Sequence, residues 1–166
     1  MKWVPYEITQ QAQEVIYKSC LHMNDEAWNN FMGLCDPEEF RYRVVNYSPE
    51  MRREQTWADR DYKSMQSCFK FMPKHNSDHS KLTRQATLYT IDYDSDKREV
   101  KTLSSLSIYK TQLDGTNSHR ESGQTSIYLV GTYEDVIRLS DEQSKLLSRV
   151  VRLDTRQLDI GSHKPL

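Results

Sequence analysis

The stretch SIYLVGTYEDVIRLSDEQSKLLSRVVRLDTRQLDI, residues 126–160, decides the fold class. In its second half Leu147, Val151 and Leu153 alternate with Ser148, Arg152 and Asp154, and Arg149 is the one charge on the apolar side. A period of two suits a sheet with one packed and one wet face. In its first half Ile127, Leu129, Gly131 and Tyr133 point one way, and Tyr128, Val130 and Thr132 the other. The polar run from Ser140 to Ser144 supplies a turn, so the stretch predicts two long strands of one antiparallel hairpin. A sheet built on this hairpin needs a cover on its apolar face, and the first seventy or so residues have the pattern to provide it.

Working back toward the N-terminus, the period is two as far as the mid-chain. Residues 83–93 predict a strand, 94–97 a turn, and 98–110 a strand with Val100, Leu106 and Ile108 on one face. Residues 114–123 form the longest loop of this half. Before residue 74 the period is 3.6 in three segments, with one alternating segment between the second and third. Ile8, Ala12, Val15, Ile16, Ser19 and Met23 recur at helical spacing behind Pro5, a residue tolerated in a first turn. Asn24 or Asp25 is the expected cap of a second helix, with Ala27, Trp28, Phe31, Met32 and Cys35 as its stripe, ended by Asp36-Pro37. Residues 40–47, FRYRVVNY, alternate as a strand closed by Ser48-Pro49. Tyr62, Met65, Phe69 and Met72 mark a third helix stopped by Pro73, and residues 74–80 a polar loop. The layout is α+β in a single domain spanning residues 1–166, with helices gathered on one face of a curved sheet.

Composition narrows the function. The chain of 166 residues is 36% apolar and 28% charged, with mixed signs and a net charge of −1, so no long-range field would hold nucleic acid. Ten tyrosines against four phenylalanines shift its aromatics toward amphipathic rings, which suit both strands and interfaces. Cys20, Cys35 and Cys68 are odd in number and irregularly spaced, which predicts reduced thiols in a cytoplasmic protein. MKWVPYEITQQ lacks the apolar run of a signal peptide, and no stretch approaches the roughly 20 apolar residues of a membrane span.

The chemical constellations are incomplete. Cys20-Leu21-His22 is the first half of a Rieske cluster motif, but Cys35-Asp36-Pro37-Glu38 lacks the histidine of the second half. Cys20 also falls within a helical pattern, where a buried thiol is the simpler reading. His75, Asp78 and His79 have a spacing that suits a metal on a helix, yet they follow Pro73 in a polar segment and read as a solvated loop or one side of a subunit contact. His119 and His163 stand in a loop and a tail. There is no nucleophile elbow and no glycine-rich phosphate loop. An acid–base pocket drawing on Tyr17, Asp61 or His22 is conceivable, with nothing to choose among them. No catalytic, cofactor-binding or metal residue is therefore assigned, and whether the chain is itself an enzyme stays open.

In order, Thr83-Arg84-Gln85-Ala86-Thr87-Leu88, the strand 99–109, Val130-Gly131-Thr132-Tyr133-Glu134-Asp135 and Ser148-Arg149-Val150-Val151-Arg152-Leu153-Asp154 resemble the small, or β, subunit of the Rieske non-haem iron ring-hydroxylating oxygenases. The N-terminal half fits the same pattern, with Trp28 in the second helix and Trp57-Ala58-Asp59-Arg60-Asp61 entering a helix. The resemblance covers nearly the whole chain. It implies a cone of the nuclear-transport-factor-2 type, a curved antiparallel sheet wrapped around N-terminal helices. It also implies a non-catalytic subunit that stabilises and assembles a mono- or dioxygenase. The [2Fe–2S] Rieske cluster and mononuclear iron are then expected in a partner α subunit, with further β subunits in an α3β3 assembly and neither nucleic acid nor membrane as partner.

The tail from Thr155 to Leu166 departs from naphthalene-, biphenyl- and benzoate-type members, so the implied substrate is an aromatic acid or a small organosulfonate. Trp57, Arg84, Tyr109, Tyr128, Arg149, Arg152 and Arg156 are the candidate subunit-interface residues, because rings and guanidinium forks gain much contact for little lost freedom. The alternative is a stand-alone isomerase or dehydratase on the same fold with an acid–base pocket, or a ligand-binding module with that pocket and no chemistry.

Overall fold

A computed structural model describes residues 3–75, 77–113, 122–158 and 164–166. Most of the 114–123 loop, together with His119 and His163, lies outside the described residues. The elements run α1 (Tyr6–Asn24), α2 (Trp28–Leu34), β1 (Arg41–Ser48), β2 (Arg53–Asp61), α3 (Tyr62–His75), β3 (Lys81–Asp94), β4 (Glu99–Thr111), β5 (Thr125–Arg138) and β6 (Lys145–Leu153). The six strands form one sheet in the order β2-β1-β6-β5-β4-β3.

The hairpin that decided the fold class is present as β5 and β6, paired from Gly131↔Leu153 to Arg138↔Lys145. β3, β4 and β5 form the meander beside it. β1 lies against β6 in parallel, so the sheet is antiparallel except at that junction. A parallel neighbour needs a crossover rather than a tight turn, and most of the chain separates these two strands.

α1 buries Ala12, Val15, Ile16, Ser19, Cys20 and Met23 on one face, the stripe its periodicity announced. Trp28 of α2 stacks on Phe69 of α3 with ring centroids 4.7 Å apart, and Phe31 meets Phe40 and Phe69 edge-on. These rings, with Met65 and Met72, bind the helices to the inner face of the sheet, where Leu106, Ile108, Leu129, Ile137 and Val151 are buried.

Three expectations are corrected. β2 was not foreseen, because a strand at the sheet edge exposes most of its side chains and carries no apolar alternation. α3 continues through Pro73 to His75, so the proline removes one backbone donor from the last turn without ending the helix. α2 starts at Trp28 behind Ala27, whose side chain makes no capping hydrogen bond. Asn24 instead ends α1, and its amide clasps the backbone of β3: Arg84 N–H donates to Asn24 Oδ1 at 2.8 Å.

Candidate functional site

Strand register explains why charge lies inside this molecule. Tyr133, Asp135 and Ile137 share the inward face of β5, and Asp135 stands opposite Arg149 of β6. Arg149 Nε and Nη2 donate to Asp135 Oδ1 and Oδ2, each at 2.8 Å, and neither side chain has exposed surface. The guanidinium also lies 3.9 Å from the centroid of the Tyr133 ring. Burial pulls the Arg149 pKa down, but the Asp135 carboxylate outweighs it, and the net shift is upward.

Arg84 is the second guanidinium of this interior. Its Nη2 donates to the Pro165 carbonyl and its Nη1 to Asn24 Oδ1 at 3.3 Å. Burial lowers its pKa, opposed by Tyr133, Tyr42 and Cys20. Tyr42 exchanges hydrogen bonds with the Leu166 backbone, donating to its carbonyl and accepting from its N–H at 2.8 Å, and burial pushes its phenol up to about 12. Residues 164–166 thus cover the end of a charged interior already occupied by Arg84, Arg149, Tyr133 and Tyr42. Arg84 Nε, Arg149 Nη1 and the Tyr133 hydroxyl have no hydrogen-bond partner among the described residues.

The seven candidate interface residues separate accordingly. Arg84 and Arg149 are buried, so neither offers a surface to another chain. Their partners, the Asn24 amide and the Asp135 carboxylate, are internal. Arg152 lies on the outer face and bridges Glu134 of β5 to Glu54 of β2. Arg156 forms a two-bond pair with Glu50, at 2.9 and 2.7 Å. Tyr109 and Tyr128 are half-buried, and Trp57 is exposed on the edge strand. Trp57 and Tyr128 come together at a pocket of about 200 Å³ also lined by Arg60, Met65 and Leu158. That pocket was not foreseen, since it depends on the unforeseen β2.

The metal-like spacings resolve into structural contacts. Asp78 pairs with Lys110 at 2.6 Å, and His75 ends α3 beside Phe71. Cys20 faces inward from α1, and the Cys35 thiol donates to the Phe31 carbonyl at 3.4 Å. Among the described residues no three His, Cys, Asp or Glu side chains converge as a metal-binding group.

No family model matches the chain. Over 155 residues it is 35% identical to the β subunit of the methanesulfonate monooxygenase hydroxylase of Methylosulfonomonas methylovora, covering 93% of this chain and 85% of that one. The chain belongs to the β subunits of the ring-hydroxylating oxygenase family. The β subunit of 2-aminobenzenesulfonate 2,3-dioxygenase from an Alcaligenes species is 27% identical over 95% of this chain and 99% of its own length. A chain of naphthalene 1,2-dioxygenase shares the fold with a TM-score of 0.76 at 15% identity, covering 99% of this chain and 88% of that one. The fold of this oxygenase β subunit is the nuclear-transport-factor-2-like one that the resemblance implied.

Proposed function

We propose that this chain is the small subunit that stabilises and assembles a Rieske-type oxygenase. The observation carrying that reading is the 35% identity, over 93% of the chain, to a hydroxylase β subunit. The partner α subunit supplies the Rieske cluster and the mononuclear iron, and it hydroxylates an organosulfonate or an aromatic acid. Both curated relatives act on sulfonates by name, one as a monooxygenase and one as a dioxygenase, which favours a sulfonate. The assembly is an α3β3 hexamer in the cytoplasm. Tyr109, Arg152 and Arg156 are the residues we assign to its subunit contacts.

The occupied interior supports this reading over the stand-alone isomerase or dehydratase. An acid–base enzyme on this fold needs room for substrate beside its acid. Here Arg149, Tyr133, Arg84 and Tyr42 fill that space and Pro165 and Leu166 cover it. Co-expression with an oxygenase α subunit of the same family tests the proposal. The two chains are expected to elute together from a sizing column, with iron and substrate turnover in that fraction. Elution of this chain alone, with an equally active α subunit elsewhere, would refute it.

A further inference from the structure

The two exposed or half-exposed aromatics of the small pocket share an unusual origin. In the β1–β2 register Val44 faces Ala58 and Val45 faces Thr56, so Trp57 is the extra residue of a bulge. In the β4–β5 register Ile108 faces Leu129 and Tyr109 faces Ile127, so Tyr128 is the extra residue of another. A bulge re-aims one side chain without disturbing the rest of its strand, and such features gather near functional sites. Here two bulges on strands that are not neighbours turn two rings toward one cavity of about 200 Å³. Leu158 and the buried Met65 add apolar wall.

Among the described residues the two charged side chains of the lining, Arg60 and Lys164, are both cations. Arg60 sits opposite Tyr42 in the β1–β2 register, on the pocket side of β2, and no described residue pairs with its guanidinium. The other cation in the lining, Lys164, is committed to Glu26 and the Ser80 carbonyl. Lys110, 5.5 Å from the Tyr128 ring, is committed to Asp78. The acids flanking Arg60 are also engaged, Asp59 by Arg41 and Asp61 by the Ser64 N–H. Among the described residues no Asp or Glu side chain lines the cavity.

We propose that this pocket binds a small aromatic anion, a sulfonate or carboxylate, with its ring against Trp57 and Tyr128 and its charged group on Arg60. The volume is below the roughly 300–1,000 Å³ of drug-sized sites, which limits the guest to about a single substituted ring. A guanidinium fork matches the paired oxygens of such an anion. The site goes beyond the assembly role and does not depend on it.

Benzenesulfonate, its neutral isostere benzenesulfonamide, and methanesulfonate are the probes, titrated by calorimetry into the full-length chain and into the αβ assembly. Saturable benzenesulfonate binding is expected, weakened about tenfold or more in the sulfonamide and in Arg60→Gln, and partly kept in Arg60→Lys. Methanesulfonate, lacking the ring, should bind more weakly than benzenesulfonate. Arg60 is exposed, so both variants should keep the wild-type circular dichroism and melting point. Equal affinity of sulfonate and sulfonamide, unchanged affinity in Arg60→Gln, or no saturation at millimolar ligand overturns the proposal. So does Arg60-dependent binding that disappears in the assembly, which would assign the pocket to a side chain of the partner.

Discussion

Asp135 and Arg149 stand opposite one another across the β5–β6 register and close two hydrogen bonds of 2.8 Å with no exposed side-chain surface. Taking both charges out of water costs several kcal/mol per ion, and the pairing offsets that only while both partners remain. Asp135→Ala should therefore destabilise the subunit by about 3–5 kcal/mol, by leaving a guanidinium buried without its counter-charge. The double variant Asp135→Leu, Arg149→Met should recover most of that loss. Urea unfolding of the three proteins measures both steps, and a double variant no more stable than the single one would contradict this account.

Gly131 is fixed by a neighbour rather than by a turn. A Cβ placed on it would come within 2.2 Å of the Arg152 carbonyl on β6, directly beside its register partner Leu153. Backbone cannot move away as a side chain can. Gly131→Ala should cost about 2 kcal/mol or more, a fall in melting temperature of roughly 4–8 °C for a domain of this size. An unchanged melting curve would mean that the two strands can separate locally at no cost.

The same two strands mark how far the sequence could be read. Periodicity found β5 and β6 because both have one packed and one wet face, and it found α1 because six buried positions repeat at helical spacing. It missed β2, which as an edge strand buries little and alternates nothing. It singled out Arg149 as a charge on the apolar side yet sent it to a subunit contact. The missing step was register: only the pairing of β5 with β6 brings Asp135 opposite it. Arg84 gave less warning, since the groups that satisfy it come from the end of α1 and from Pro165. The pocket at Trp57 and Tyr128 was out of reach altogether, because bulges are single-residue offsets that no repeat in the sequence announces.

The three thiols should differ in reactivity. Burial raises the pKa of Cys20 and of Cys35, outweighing the opposing pull of Arg149 on both. The thiolate is the reactive form, so both are doubly protected, whereas Cys68 is partly accessible. Iodoacetamide in native buffer should label Cys68 at least about tenfold faster than the other two, with all three labelled in denaturant. Peptide mass spectrometry reads the order. Native labelling of Cys20 at the rate of Cys68 would show that the interior opens readily.

Acid should loosen the outer face before the interior. Arg156 donates two hydrogen bonds to Glu50, and together with the Glu50 backbone N–H and the Ser48 hydroxyl this holds the carboxyl down at about 2, against an ordinary 4.5. Glu54 is lowered by Arg152 and Asp59 by Arg41. A carboxyl whose folded pKa lies below its unfolded one contributes stability that is fully present above the unfolded value. That contribution is lost as pH falls through the folded value. The window set by Glu50 therefore runs from about 4.5 down to about 2. These pairs are solvent-exposed and screened by salt, so the loss should be gradual and smaller at high ionic strength. Carboxyl-detected NMR titration should place Glu50 near 2 in the wild type and return it toward the ordinary carboxylate range in Arg156→Gln. A Glu50 midpoint unmoved by that substitution would mean that the Arg156 pair is absent in solution, and the acid limb of the stability curve would then belong to other carboxyls.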